Sequence, residues 1–173
     1  MKFFRIIKRK KLSGIDKLRE FAAARWPREL GSFHGLEHWD RVARFGKMLW
    51  VEGADMDVIK AFAYLHDCER KQDGDDNDHG LRASLLVDVI RRSELSFLDD
   101  CQISKLKRAC QLHTHVLRTG DMTVDICFDA DRMDLVRVGI IPLPERMATK
   151  QGAKLVSNPD YMKFYQEFAR ASR

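Results

Sequence analysis

The chain has 173 residues, 45% of them apolar, with a formal net charge of +5. That length suits one domain over 1–173 with a sizeable core, and no apolar run approaches the roughly 18 residues of a membrane-spanning helix. The opening MKFFRIIKRKK lacks the apolar stretch and cleavage site of a secretory signal, and no basic-aromatic patch marks a nucleic-acid surface.

A modest positive field suits a small anionic partner such as a phosphate, and a homo-oligomer is compatible with the composition. The four cysteines, Cys68, Cys101, Cys110 and Cys127, fall in helix-like segments without a C-x-x-C pair. Free, mostly buried thiols in a reducing cytoplasm are therefore expected.

Along the chain, residues 1–12 read as a basic arm. Beyond them apolar residues recur at helical spacing over 14–25, 35–52, 55–69, 79–92, 100–116, 123–138 and 159–171, and strand-like alternation is missing. Trp26-Pro27, Gly31, Gly53, the acidic loop Asp73 to Asp78, Gly120, Pro142 and Pro144 separate the segments. The expected fold is all-α, a compact bundle of about six to seven helices. Asn77 or Asp78 is the expected cap of the fourth segment.

Polar residues that interrupt the apolar stripes carry the functional signal. In HGLEHWDRV (34–42), Val42, Phe45 and Leu49 set the stripe and place His38 on it, with His34 one turn earlier and Glu37 off it. Ile59, Phe62 and Ala63 lead to His66, with Asp67 one step around. Ile103, Leu106, Cys110 and Leu117 enclose His113, whereas His115 faces solvent. Val124, Phe128 and Leu135 are interrupted by Asp131, while Asp129 is turned away. An ionised carboxylate facing a core is costly unless it is paired or bound to a metal. Inward His38, His66-Asp67, His113 and Asp131 on four helices satisfy one another most economically around a cation.

These residues resemble the HD-domain metal-dependent phosphohydrolases, whose pattern is a lone His, a His-Asp doublet and a distant Asp. The match runs over about 33–147, through HGLEHWDRV, HDCERKQDGDDNDHGLRAS and CFDADRMDLVRVGIIP, and looks like a small single-domain branch of that superfamily. The resemblance implies an HD-type helical bundle that cleaves a phosphate ester or anhydride, with a nucleotide or related phosphorylated metabolite as substrate. It implies His38, His66, Asp67 and Asp131 as ligands of one divalent ion, drawn from Mn, Fe, Co, Ni, Zn or Mg. His79 and His113 are the histidines that dinuclear members use for a second ion and single-ion members use to line the phosphate position. Where some nucleotidase members carry a catalytic Glu after the doublet, this chain has Arg70, with Glu69 and Asp73 the nearest carboxylates.

On this reading Asp67 also accepts a hydrogen bond from the attacking water. Arg70, one turn after His66, is placed to clamp phosphate oxygens, and His79 and His113 to donate to phosphate or leaving group. His34 is expected to orient His38 or reach substrate. Arg132 and Asp134, beside Asp131, are read mainly as solvated or intrahelical ion-pair partners, with Arg132 also a candidate substrate contact. Two rivals stand beside it. HGLEH matches an inverted zinc-peptidase motif with Glu37 as base, but that leaves Asp131 and the doublet without a role. A metal- and nucleotide-binding regulatory module that does no chemistry would keep the same ligands.

Overall fold

The structure is a computed structural model that describes residues 12–27, 29–31 and 33–171. The expected basic arm falls, apart from Leu12, outside the described residues. Among these, eight α-helices and no strand occur: α1 Gly14–Arg25, α2 Leu36–Leu49, α3 Met56–Leu65, α4 His79–Ile90, α5 Asp100–Leu112, α6 Met122–Met133, α7 Lys150–Val156 and α8 Tyr161–Arg170. No helix is long and apolar enough to cross a membrane.

Side chains just ahead of the helices explain most of the starts. Ser13 and Asp16 form a reciprocal capping box on α1, and Asp99 with Gln102 does the same on α5. Asp55 and Asp121 each accept from two backbone N–H groups that no helical carbonyl reaches. At α4, Asp78 occupies the expected cap position, but its side chain makes no cap hydrogen bond. Asp76 instead braces that loop, accepting from Arg82 and from Lys71 N.

The sequence did not mark α7. Seven residues give too few turns for an apolar stripe, and only Gly152 and Val156 are buried on it. Other helices stop earlier than the periodicity suggests. Helix α3 gives way to a turn at His66, α5 to a turn at His113, and α6 to a short 3-10 helix over Asp134–Val138 that ends on Gly139 at φ 80°. Leu117 is exposed as a result, because the stripe of α5 ends before it.

Helices α2, α3, α5 and α6 pack together; α1 lies on α3, α4 on α5 and α7 on α6. Val42, Phe45, Leu49, Ile59, Phe62, Ala63, Ile103, Leu106 and Cys110 are all buried, as their spacing implies. Phe168 of α8 stacks on Phe45 with centroids 4.1 Å apart, and Arg44 sits 3.9 Å from the Phe168 centroid. Helix α6 is buried on every side from Thr123 to Ala130. Asp129 is consequently not turned to solvent. It is fully buried and accepts from Ala148 N at 2.6 Å, Thr149 N at 2.8 Å and Thr149 Oγ1 at 2.7 Å, tying α6 to the start of α7.

Gly46 sets how closely α2 approaches α3. A Cβ there would lie 2.3 Å from Ile59 Cγ2, a β-branched methyl with no free rotation out of the way. Gly46→Ala is expected to destabilise the fold by about 1–3 kcal/mol through overpacking, read from the urea midpoint. The thiols make a second prediction. Cys68, Cys110 and Cys127 are buried, and burial pushes each thiol up from its ordinary range, whereas Cys101 is exposed. A thiol reagent should find one fast site in the native protein, lost in Cys101→Ser.

Candidate metal centre

Two pairs of imidazoles meet in the middle of the bundle, and in each pair the hydrogen-bond network fixes where the protons are. His38, in the first turn of α2, is fully buried with Nδ1 2.7 Å from Asp134 Oδ2. Asp134 is also fully buried and accepts from Arg41 Nε at 2.7 Å, Arg41 Nη2 at 3.0 Å and Tyr165 OH at 2.8 Å. Burial alone would raise its pKa, but the bonds from His38 and Arg41 outweigh that and hold it below the usual carboxylate range. Against an ionised carboxylate His38 Nδ1 carries a proton, which leaves Nε2 as the outward atom.

His66, at the C-cap of α3, has Nδ1 3.1 Å from the carbonyls of Phe62 and Ala63. Carbonyls only accept, so its Nδ1 is also protonated. His38 Nε2 and His66 Nε2 then face each other at 3.1 Å. Two bare lone pairs at that distance repel unless a proton or a cation lies with them. Around the same point are Asp67 Oδ2, 3.5 and 3.6 Å from the two nitrogens, and Asp131 Oδ1, 3.4 and 3.6 Å from them. Burial would lower the His38 pKa, yet hydrogen bonds to Asp131, Asp134 and Asp67 lift it to about 9. The centre therefore draws positive charge.

The second pair repeats the pattern. His113, at the C-cap of α5, directs Nδ1 to Cys110 O at 2.7 Å, and His79, the first residue of α4, directs Nδ1 to Asp76 O. Their Nε2 atoms are 3.0 Å apart, and His79 Nε2 is 3.1 Å from Asp67 Oδ1. Burial, then the charge of His66, pushes His113 down to about 4. Burial also acts to lower His79, but Asp67 prevails and raises it. Asp67 belongs to both groups, Oδ2 turned to one and Oδ1 to the other. Burial acts to raise its pKa, and His66, then His34, His38 and His79, keep it well below the normal range.

This donor set fits a divalent ion. Bonds of about 2.1 Å put neighbouring donors about 3.0–3.4 Å apart in octahedral and tetrahedral shells, close to the spacings here, and each imidazole presents the nitrogen that its own hydrogen bonds leave free. His38, His66 and Asp67 form one group able to hold an ion, with Asp131 beside it, and Asp67, His79 and His113 form another. The sequence had expected one ion; the side chains offer two positions joined by one carboxylate.

Other expected residues take different places. His34 does not orient His38; its Nδ1 is 3.0 Å from Asp67 Oδ2 and 3.2 Å from Arg137 Nη2. Arg70 is buried, with Nη1 3.5 Å from Asp67 Oδ1 and 3.2 and 3.4 Å from the two nitrogens of His79, so it lies against that ring. Its remaining donors hold the carbonyls of Gln72 and Gly74. Glu69 pairs with Arg25 at 2.7 Å, and Asp73 accepts from Gly31 N at 2.7 Å, so both fasten the loop from outside the cluster. Arg132 spends both terminal nitrogens on the carbonyls of Val116 and Leu117 at 2.7 Å, beside an intrahelical approach to Asp129 at 3.7 Å. It props a wall. Glu37 is 64% exposed, so HGLEH does not close into a zinc site of its own.

Asp134 was read as a solvated flank and is instead the anchor of His38, because the 3-10 turn swings it inward beneath Arg41 and Tyr165. Its position three residues after Asp131 was the available signal. Arg41, Arg137 and Tyr165 gave none. Asp134→Asn should lower Mn2+ affinity about 10- to 100-fold by freeing the His38 ring. Titration calorimetry checks it, and an unchanged affinity would show that Asp134 does not hold the ligand. No family model matches the chain, and comparison with curated proteins and with solved structures likewise gives no match.

Proposed function

We propose that the chain is a metal-dependent phosphohydrolase acting on a small phosphate ester or anhydride, as its resemblance to the HD-domain enzymes implies. One observation carries the reading: four buried imidazoles, each with Nδ1 spoken for, turn Nε2 toward an Asp67 carboxylate whose two oxygens serve both pairs. A structural hydrogen-bond network would alternate donors and acceptors. This one gathers Nε2 atoms and carboxylate oxygens at one point, an arrangement that holds protons or, in their place, a cation.

A bound divalent ion supplies Lewis acidity, stabilising charge on phosphoryl oxygens and making water acidic enough to attack. The chain's own groups do the rest. Asp67, kept ionised, accepts a hydrogen bond from the attacking water. Arg70, its guanidinium 3.5 Å from Asp67 Oδ1, brings positive charge to the phosphate position. Where one ion suffices, His79 and His113 line that position, and His79, whose pKa Asp67 raises, donates from Nε2 to a phosphate oxygen or to the leaving group. The water oxygen bonds to phosphorus, the ester or anhydride P–O bond breaks, and the departing oxygen takes a proton. A nucleotide or related small phosphorylated metabolite goes with the resemblance, and a cytoplasmic setting with the free thiols.

The test is metal analysis of the purified chain, then a screen with Mn2+, Co2+, Ni2+, Zn2+ and Mg2+. Substrates are nucleoside mono- and triphosphates, pyrophosphate and a chromogenic phosphate. Asp67→Ala should cost more than about 100-fold in kcat/KM, beyond the loss that an outer hydrogen-bond partner gives, and should abolish ion binding at both positions. Persistent hydrolysis in that variant would sink the proposed site. No turnover with any ion, together with tight nucleotide binding, would favour the regulatory module.

A further inference from the structure

A cleft of about 600 Å³ opens directly onto the cluster, with Asp131 and His113 in its lining. That volume is in the range of pockets that hold a small organic molecule. Its walls come from the turn after α5 and from the loop between the 3-10 helix and α7. Leu117, Ile140, Ile141 and Leu143 line it and are 39%, 53%, 56% and 50% exposed. Four large aliphatic side chains gathered at one opening give a ligand carbon to bury against.

The polar inventory is as informative as the apolar one. The lining contains no Phe, Tyr, Trp, Asn or Gln; its neutral polar side chains are Thr114 and His115 in the turn after α5, with His113 at the cluster. Asp131 is its one carboxylate. Arg132 is occupied by two backbone carbonyls. Arg146 lines the cleft and, among the described residues, its guanidinium has no hydrogen bond or ion pair, so a cation stands ready beside aliphatic walls. Both features match an anion that carries an aliphatic body.

We infer that the substrate is a phosphate ester of an aliphatic alcohol, its phosphate at the imidazole cluster near Arg146 and its alkyl part along Leu117, Ile140, Ile141 and Leu143. This rests on the phosphohydrolase reading and narrows it. Hydrolysis then joins the water oxygen to phosphorus, breaks the ester P–O bond and releases the alcohol with the transferred proton; nothing is oxidised or reduced.

The experiment uses the full chain with Mn2+ and two matched series: n-alkylphosphonates from methyl to octyl for calorimetric binding, and the corresponding alkyl phosphates for turnover. Affinity should tighten about two- to fourfold for each added methylene, since burying one is worth close to a fourfold factor. In Ile141→Asp combined with Leu143→Asp, both at exposed positions, the octyl compound should fall to the methyl level. Leu85→Asp, on the solvent face of α4, should keep the slope. A flat series in the unmodified chain, or adenosine monophosphate binding tighter than octylphosphonate, would overturn the inference. Metal-dependent hydrolysis with a flat series removes the aliphatic substrate and leaves the enzyme class; a steep binding series without turnover of any ester removes the enzyme class and leaves the ligand class.

Discussion

Everything in this bundle is arranged around keeping Asp67 ionised where water hardly reaches. A carboxylate taken out of water loses several kcal/mol of hydration unless neighbours replace it. Here five groups replace it: His34, His38 and His66 at one oxygen, His79 and Arg70 at the other. Each comes from a different turn or helix end. The helices must therefore converge to within hydrogen-bonding distance, and Gly46 and Gly80 are where that closeness shows most. A Cβ on Gly80 would sit 2.4 Å from Cys110 O and 3.1 Å from the His113 ring.

Helix ends solve the tautomer problem cheaply. The last carbonyls of a helix have no intrahelical donor, and a histidine placed three or four residues later folds back to donate Nδ1–H to them. His66 does this on Phe62 and Ala63 and His113 on Cys110, while His79 uses the loop carbonyl of Asp76 in the same way. In all three the outward nitrogen is fixed within five residues of chain. His38 differs because it stands in the first turn of α2, with no helix before it. Its partner must come from elsewhere, and Asp134 supplies it from 96 residues away.

That difference explains what could be read from the sequence. Helical period placed Val42, Phe62, Leu106 and Phe128 in the core and put His38, His66, Asp67 and His113 among them, because burial follows angle on a helix whose one face is covered. The same rule misjudged Asp129, since α6 is covered on all sides and angle no longer separates inside from outside. It also lost Asp134, which lies just past the last α-helical turn, where the step per residue changes. Arg41, Arg137 and Tyr165 enter only through contacts across the fold, and no local pattern announces such contacts. Glu69 and Asp73 were chosen for nearness in sequence to the doublet, but the turn after α3 carries both away from the cluster.

The cluster is also one-sided. His38 and His66 are completely enclosed, whereas the Asp131 side chain keeps 17% of its surface open and shares the cleft with His113. The cluster is therefore open toward the cleft and closed toward the packed faces of α2 and α3. That opening is walled by the turn after α5 and by the loop from Gly139 to Met147. Arg132 ties α6 to the first of these by donating to the carbonyls of Val116 and Leu117, which holds that wall in place. The ligands are thus fixed by helix geometry, while the cleft is formed by turns whose side chains can vary without disturbing them. In this chain those turns bring Leu117, Ile140, Ile141 and Leu143 to the cleft beside Thr114, His115 and Arg146, so burial of carbon and a cationic contact are both on offer there.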